Sequence, residues 1–182
     1  METRIADPAC EMEQIWARRA EEMARVPPQE PEGGQIEILV VRLGTEQYAF
    51  EAGLARDIRP GGRITPVPGV PDWVAGVTSR RGQILSVLDL ARFLGLPGDS
   101  TSGSRPMATV STPDMELVLL VDEVLAVETL PLARLWEPGS PLVALPGEYV
   151  QGAVEWDTGL LVVLDLPALL ADKRLIIQQE VT

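Results

Sequence analysis

One apolar pattern occurs twice in this chain, 76 residues apart. Residues 76–96 read GVTSRRGQILSVLDLARFLGL, and residues 152–172 read GAVEWDTGLLVVLDLPALLAD. The two stretches align without a gap, and both place an Asp, Asp89 or Asp165, between a strand-like run and a short apolar helix. Asp is a favoured helix N-cap residue. An identical cap at an identical offset indicates two related modules, each a barrel-like set of strands closed at one end by a short helix.

The composition agrees with a strand-rich fold. The 182 residues include 16 Gly and 16 Pro, which separate short runs of Val, Leu and Ile, and 46% of residues are hydrophobic. Such spacing predicts many short strands joined by turns rather than a disordered chain. The first half reads as two hairpins, the second of which turns at Arg81-Gly82 and leads into a helix that begins after Asp89.

The ends of the chain differ from this body. Residues 7–25 carry Met12, Ile15, Trp16 and Met23 on one helical stripe, and VPPQEPEGG ends that helix. The helix could pack on the body, remain free or dock on a partner. The predicted organisation is an N-terminal helix and linker, a main domain and a C-terminal tail, and the polar segment PGDSTSGSRP is expected to divide the modules. The boundaries are residues 1–34, 35–174 and 175–182, with the division near 95–106.

Charge and residue usage exclude several functions. The net charge is −12, and the basic residues are concentrated in the middle of the chain while the last third is acidic, which argues against nucleic acid as a partner. The chain has no His, and its one thiol, Cys10, has no second Cys for a disulfide or a metal site. No apolar run reaches the roughly 18 residues of a membrane span. We therefore expect a cytoplasmic protein with no metal, no cofactor and no direct membrane insertion.

Two groups of polar residues were weighed as sites. Asp89 and Asp165 could form a catalytic carboxylate pair, but their capping positions explain both without chemistry. Arg80 and Arg81 at a hairpin tip are more informative, because an Arg held by a carboxylate can shape a recognition surface. Asp57 is the predicted partner of Arg81.

The segment ITPVPGVPDWVAGVTSRRGQILSVLDLARFLGL resembles the CheW family of chemotaxis coupling proteins. YAFE upstream, LVLLVDEVLAVETL later and GLLVVLDLPALL near the end support the resemblance, which covers about residues 36–172. It implies a mainly β fold of two five-stranded SH3-like β-barrel subdomains that share a core, with short capping helices, to which the N-terminal helix is added. It also implies an adaptor with no enzymatic activity.

The resemblance further implies partners and a binding surface. Members of the family couple the cytoplasmic tips of chemoreceptors (methyl-accepting chemotaxis proteins) to the regulatory domain of the histidine kinase CheA, and they contact other CheW-like proteins in arrays. Arg81-Gly82 takes the place of the family's Arg-Gly, Asp57 that of its acidic partner. The positions that correspond to the receptor groove and the hairpin are Ala52, Ala55, Ile58, Arg80, Arg81 and Gly82.

Departures from the family pattern leave alternatives open. Ser79-Arg80 replace the usual Asn-Leu, which adds a charge where an apolar residue is expected, and Ala52 and Ala55 are small. One alternative is a CheW-like scaffold of a non-flagellar pathway (pili, gliding or biofilm) that binds the kinase without normal receptor coupling. Another, of a different class, is a small-molecule sensor or enzyme with its pocket at a barrel mouth.

Overall fold

The computed structural model describes residues 34–97, 104–136, 145–156 and 159–175. The predicted helix at 7–25, its linker and residues 176–182 of the predicted tail lie outside the described residues. Two short helices, α1 (Leu90–Phe93) and α2 (Leu166–Leu170), accompany ten strands. The strands are β1 (Gln35–Leu43), β2 (Glu46–Glu51), β3 (Ala55–Arg59), β4 (Val74–Arg80), β5 (Gln83–Asp89), β6 (Met107–Ser111), β7 (Glu116–Leu120), β8 (Glu123–Pro131), β9 (Val150–Trp156) and β10 (Gly159–Leu164).

The strands form two five-stranded sheets of matching topology. The first has the order β8-β1-β2-β10-β9 and the second the order β3-β6-β7-β5-β4. In each sheet one neighbouring pair is parallel, β2 with β10 and β5 with β7, and the others are antiparallel. The predicted fold class, mainly β with two five-stranded modules and short capping helices, is confirmed for the described residues.

The sheets do not follow the chain order that the sequence suggested. The segment near 95–106 separates the two halves of the repeat, β1–β5 and β6–β10, but it does not separate the sheets, because β5 and β6 lie in the same one. Each half donates strands to the other. The chain changes sheet after β2, through a 3-10 turn at Ala52–Leu54, and changes back between β7 and β8. β3 and β8 each pair with the first strand of the other half, and each sheet combines two strands of one half with three of the other.

The repeated hairpins share a β-bulge and a glycine. Both β4–β5 and β9–β10 shift register one residue before the repeated glycine, Gly76 or Gly152. At Gly76, a Cβ atom would lie 2.2 Å from the carbonyl oxygen of Thr65. At Gly152, a Cβ atom would lie 2.7 Å from the carbonyl oxygen of Trp136. Both distances are too short for a side chain. The glycines therefore let a preceding segment cross each hairpin closely, and the repeat extends to backbone geometry.

The predicted caps are confirmed in both copies. The Asp89 carboxylate accepts a hydrogen bond from the backbone N–H of Arg92 at 3.2 Å, and Asp165 accepts one from Ala168 at 2.9 Å. Gly95, with φ of +71°, follows the end of α1, as expected for a residue that allows a left-handed stop.

A central apolar layer joins the two sheets and the two helices. The other faces of the sheets bury separate clusters, one around Ile38 and Leu161 and one around Val87 and Val118. Each barrel therefore has its own interior, and the layer between them is the shared core that the resemblance implied. The central layer includes Leu39, Val41, Tyr48, Phe50 and Leu164 from the first sheet, Leu88, Ala108, Val110 and Leu119 from the second, and Leu90, Phe93, Leu166 and Leu169 from the helices.

An ionic cluster ties this layer to the chain crossings. Arg105, 15% exposed, donates from Nη1 to Asp89 at 2.6 Å and from Nη2 to Asp122 at 2.8 Å. Asp122 also accepts from the backbone N–H of Gly44 at 2.6 Å. One guanidinium thus links the cap of α1, the β7–β8 crossing and the β1–β2 turn, which belong to both sheets.

Arg105→Met is expected to lower the free energy of unfolding by about 3 kcal/mol, because it leaves Asp122 without an ion pair among the described residues and Asp89 with only the longer pair to Arg92 at 3.7 Å. Urea unfolding followed by circular dichroism measures this. Arg42→Met is the matched control: it removes an exposed pair with Glu123 and should cost less than about 1 kcal/mol. Equal losses in the two variants would contradict a structural role for the cluster.

A second polar cluster attaches the end of α2 to α1. The hydroxyl of Tyr149 donates to Asp172, Arg174 bonds Asp172 at 3.0 Å, and the Arg174 guanidinium lies 4.2 Å from the ring centre of Phe93. The hydrogen bond from Arg174 lowers the pKa of Asp172 from 3.8 to about 2, and the bond to Asp172 raises the pKa of Tyr149. The charged form of Asp172 is therefore favoured by folding.

Because the pKa of Asp172 is lower in the folded state, its contribution to stability is present above about pH 4 and is lost as the pH falls to about 2. Asp172→Asn should therefore be less stable than the parent at neutral pH and should lose less stability over this acid range. Chemical unfolding at a series of pH values measures the difference. Parallel pH profiles for the two proteins would contradict the assignment.

Candidate protein-binding surface

The sequence-predicted site residues lie on two neighbouring parts of the second barrel. Ala52 begins the 3-10 turn before β3, and Ala55, Asp57 and Ile58 belong to β3, which is an edge strand. Arg80, Arg81 and Gly82 belong to the β4–β5 hairpin at the opposite end of the strand order. The salt bridge between Asp57 and Arg80 connects the two parts, at 3.0 Å, so the barrel closes between its first and last strands.

Arg81 and Gly82 form the predicted hairpin turn. The pair Arg80 and Gln83 closes the ladder, and Arg81 and Gly82 have φ of +45° and +83°. Positive φ at both central residues is the pattern of the type I′ turn, whose twist matches that of the flanking strands. Arg81 is exposed at the tip, in a backbone conformation that few residues other than glycine adopt.

The predicted pairing of Asp57 with Arg81 is not the one observed. The Asp57 carboxylate accepts from Arg80 and, at 2.9 Å, from Arg59. The reason is strand geometry: Asp57 pairs opposite the buried Thr109, so it faces the barrel interior, as does the buried Arg80 side chain. Arg81 lies one residue further, in the turn, and within the described ranges its side chain has no ion pair or hydrogen bond.

The apolar site residues line the rim of the central layer. Ala55 and Ile58 pair opposite Val110 and Ala108, two members of that layer, so they share its face of the sheet. Ala52 and Ala55 are partly buried against the layer, and Ile58 is 42% exposed. The structure therefore brings the three predicted groove residues to one face, beside the shared core.

Sequence reasoning missed the other side of this rim. Val127 in β8, the edge strand of the first sheet, pairs opposite Leu39 of the central layer and is 56% exposed. Alternation in EVLAVETL marks β8 as a strand, but it does not show which face remains uncovered, since that depends on the distant β1. We call Ala52, Ala55, Ile58 and Val127 the rim surface.

The tip of the β4–β5 hairpin carries a further apolar side chain. Ile84 is 76% exposed, beside the Arg81-Gly82 turn and opposite Ser79. A large exposed apolar residue next to an exposed arginine suits contact with a protein, where such anchors contribute much of the binding energy.

Other site types are not seen in the described part of the chain. It contains no helix long and apolar enough to cross a membrane. Within the same residues, no group of three or more Cys, Asp or Glu side chains is placed to hold a metal ion.

The comparison with known families decides the assignment. The family model of the CheW-like domain matches residues 37–174, which is most of the chain. The chain belongs to the CheW-like family. CheW-like proteins are adaptors and scaffolds. The matched residues include both the rim surface and the hairpin.

Curated relatives include both chemotaxis proteins and proteins with other names. The chain is 28% identical to the chemotaxis protein CheW of Thermotoga maritima, over 76% of this chain and 89% of that protein. It is 31% identical to the protein PilI of Pseudomonas aeruginosa, over 61% of this chain and 62% of PilI, and 30% identical to the protein FrzA of Myxococcus xanthus, over 56% of this chain and 64% of FrzA. The alignments thus span a little under two thirds of PilI and FrzA.

A solved structure shows the same fold. The scaffolding protein TtCheW of Thermoanaerobacter tengcongensis superposes with a TM-score of 0.68 over 78% of this chain and 96% of that chain, at 23% identity.

Asp57→Ala is expected to lower the free energy of unfolding by about 2 kcal/mol, because it leaves the buried Arg80 without a counter-charge. The loss is smaller than for a fully buried pair because the Asp57 side chain is 30% exposed. Arg81→Ala, the control, should change stability by less than about 0.5 kcal/mol. Urea unfolding of both variants measures this, and the reverse ranking would restore Arg81 as the partner of Asp57.

Proposed function

We propose that this protein is a non-catalytic adaptor that couples the cytoplasmic tip of a chemoreceptor to the regulatory domain of the histidine kinase CheA. The observation that carries the proposal is the rim surface, where exposed apolar side chains of two edge strands flank the shared core. A receptor tip is a helical hairpin of the chemoreceptor, and such an apolar rim suits the apolar face of a helix. In this role the protein acts in the cytoplasm, at receptor arrays.

The hairpin gives the interface its charge. Arg81 is exposed on a backbone whose position the type I′ turn fixes, so its side chain is available to pair with a carboxylate on the partner. Ile84 beside it offers an apolar anchor. Ala52, Ala55 and Ile58 lie on the same barrel as the hairpin and are connected to it through the Arg80 and Asp57 pair, whereas Val127 lies on β8 of the first sheet. Other CheW-like proteins are further candidate neighbours, since arrays place such domains next to one another.

A second candidate function is a CheW-like scaffold of a non-flagellar pathway that binds the kinase without normal receptor coupling. Two observations favour it: PilI and FrzA are among the relatives with at least 30% identity, and Arg80 places a charge at a position where the family usually has an apolar residue. In this case the kinase-binding surface is retained and the receptor-binding surface is altered.

Arg81→Ala and Ile58→Glu should each reduce receptor-dependent activation of CheA about tenfold or more, as expected for central interface residues. The measurement is CheA autophosphorylation in reconstituted complexes with receptor fragments. The matched control for Arg81→Ala is Arg42→Ala, which removes an exposed arginine on the first barrel. The matched control for Ile58→Glu is Ile58→Val. Both test variants should unfold at the parent's urea midpoint or close to it.

The outcomes separate the two candidates. Loss of activation with retained CheA binding supports the coupling function and its placement. Pull-down of CheA without any receptor fragment, by the parent protein as well as the variants, supports the scaffold instead. Unchanged activation in Arg81→Ala and Ile58→Glu would contradict this assignment of the receptor surface.

A further inference from the structure

A basic cavity opens at the mouth of the second barrel. Its volume is about 300 Å³, and the loop that contains Gly61 passes over it. Three arginines, Arg59, Arg63 and Arg80, and the hydroxyl-bearing Thr78 lie in its wall. We call this space the basic cavity. The proposed coupling function uses the outside of the barrel and assigns no role to this cavity.

The buried side chain of Arg80 has fewer hydrogen-bond partners than donor nitrogens. Its side chain is 9% exposed, and its Nη2 atom bonds Asp57, whereas Nε and Nη1 have no hydrogen-bond partner among the described residues. An arginine stays charged in any protein environment, and buried N–H groups are almost always paired. In the described part of the chain, Arg105 also has an unpaired Nε, but its other two nitrogens bond two carboxylates, whereas Arg80 has one bonded nitrogen and two unpaired ones in a cavity wall.

The charge of the basic cavity is not balanced by its own residues. Asp57 is the one carboxylate bonded to this group, and it is shared between Arg59 and Arg80. Arg63 is the third basic residue in the cavity wall, and its backbone carbonyl accepts a hydrogen bond from the Thr78 hydroxyl. Three guanidinium groups and one carboxylate leave two positive charges uncompensated, within a chain whose net charge is −12.

The floor of the basic cavity is apolar. Met107 and Val118 line it, and both belong to the buried cluster inside the second barrel. A Cβ atom at Gly62 would lie 3.0 Å from the sulfur of Met107, so glycine leaves that floor uncovered at the loop. A ligand here meets cations at the wall and apolar atoms at the base, the usual composition of a small-molecule site.

We propose that the basic cavity binds a small organic anion through an oxyanion group, a phosphate or a carboxylate. Guanidinium groups bind both with paired, charge-assisted hydrogen bonds. The unpaired edge of Arg80 and the side chain of Arg63 supply the donors, and Met107 and Val118 contact the rest of the ligand. Because Nε and Nη1 are covered from solvent, the ligand engages them after a small shift of the surrounding side chains.

Such a ligand also reaches the hairpin. Arg80 directly precedes the Arg81-Gly82 turn, and its bond to Asp57 joins β4 to β3. An anion that competes with Asp57 for Arg80 would therefore act on both parts of the predicted binding surface. The inference itself does not rest on the coupling function, since it follows from the cavity, its charge and the unpaired nitrogens.

The test is a titration of the full chain in low-chloride buffer with two probes, inorganic phosphate and succinate. Saturable shifts of the backbone amide signals of Gly61, Gly62 and Thr78 in NMR spectra are expected, with a rise in the unfolding temperature that grows with probe concentration. A response to phosphate alone identifies a phosphate ligand, and a response to succinate alone identifies a carboxylate.

Arg80→Leu should weaken binding about 10- to 100-fold, the equivalent of one or two hydrogen bonds to a charged group. Arg42→Leu, an exposed arginine on the first barrel, should bind like the parent. If Arg80→Leu does not give a folded NMR spectrum, Arg63→Ala replaces it, with the same expected loss. The proposal is overturned if neither probe gives saturable shifts, if the shifts map to another part of the protein, or if the folded variant binds as tightly as the parent.

Discussion

The apolar layer between the two sheets is the constraint on which the rest of this structure depends. Each sheet buries one face in its own barrel and presents the other to this layer, where Phe50 and Leu164 meet Leu119 and Val110. Since each sheet combines two strands of one half with three of the other, neither half of the repeat can complete a barrel alone. The layer therefore joins two halves of the chain, and each half needs strands of the other to form a complete barrel.

The same exchange creates the surface that the proposed function uses. β3 and β8 are both edge strands, and both leave apolar side chains, Ile58 and Val127, at the rim of the layer. An edge strand is normally a liability in a sheet. Here the two edges flank the shared core, so a partner that covers them extends the existing apolar layer. Burial of apolar surface at this layer thus stabilises the fold and also favours binding of a partner.

Two buried arginines show how differently one residue type is used. Arg105 spans Asp89 and Asp122 and fastens the crossings of the chain. Arg80 shares a single carboxylate with Arg59 and lies in a cavity wall that carries excess positive charge. The first arrangement stabilises the fold. The second joins β3 to β4 and also leaves Nε and Nη1 without partners among the described residues, which is why it points to a ligand.

Much of the fold could be predicted from the sequence because the repeat is local. The Asp89 and Asp165 caps, the Arg81-Gly82 turn and the duplicated strand-to-helix unit follow from spacing and turn chemistry within about 20 residues, whereas the five strands of each module are what the resemblance to the CheW family implies. The exchange of β3 and β8 could not, because alternation marks a strand without naming its partner. The same gap explains the Asp57 error: whether Arg80 or Arg81 faces inward depends on the register of the hairpin. Val127 was missed because its exposure depends on β1, far away in the chain.

Native-state hydrogen exchange tests the interlocked architecture most directly. If the two halves need each other, the slowest amides of β1 in the first sheet and of β7 in the second exchange through one opening, with the same free energy and the same denaturant dependence. Protection that persists in β7 after β1 has opened, with a smaller denaturant dependence for β1, would show two independent barrels and contradict the account.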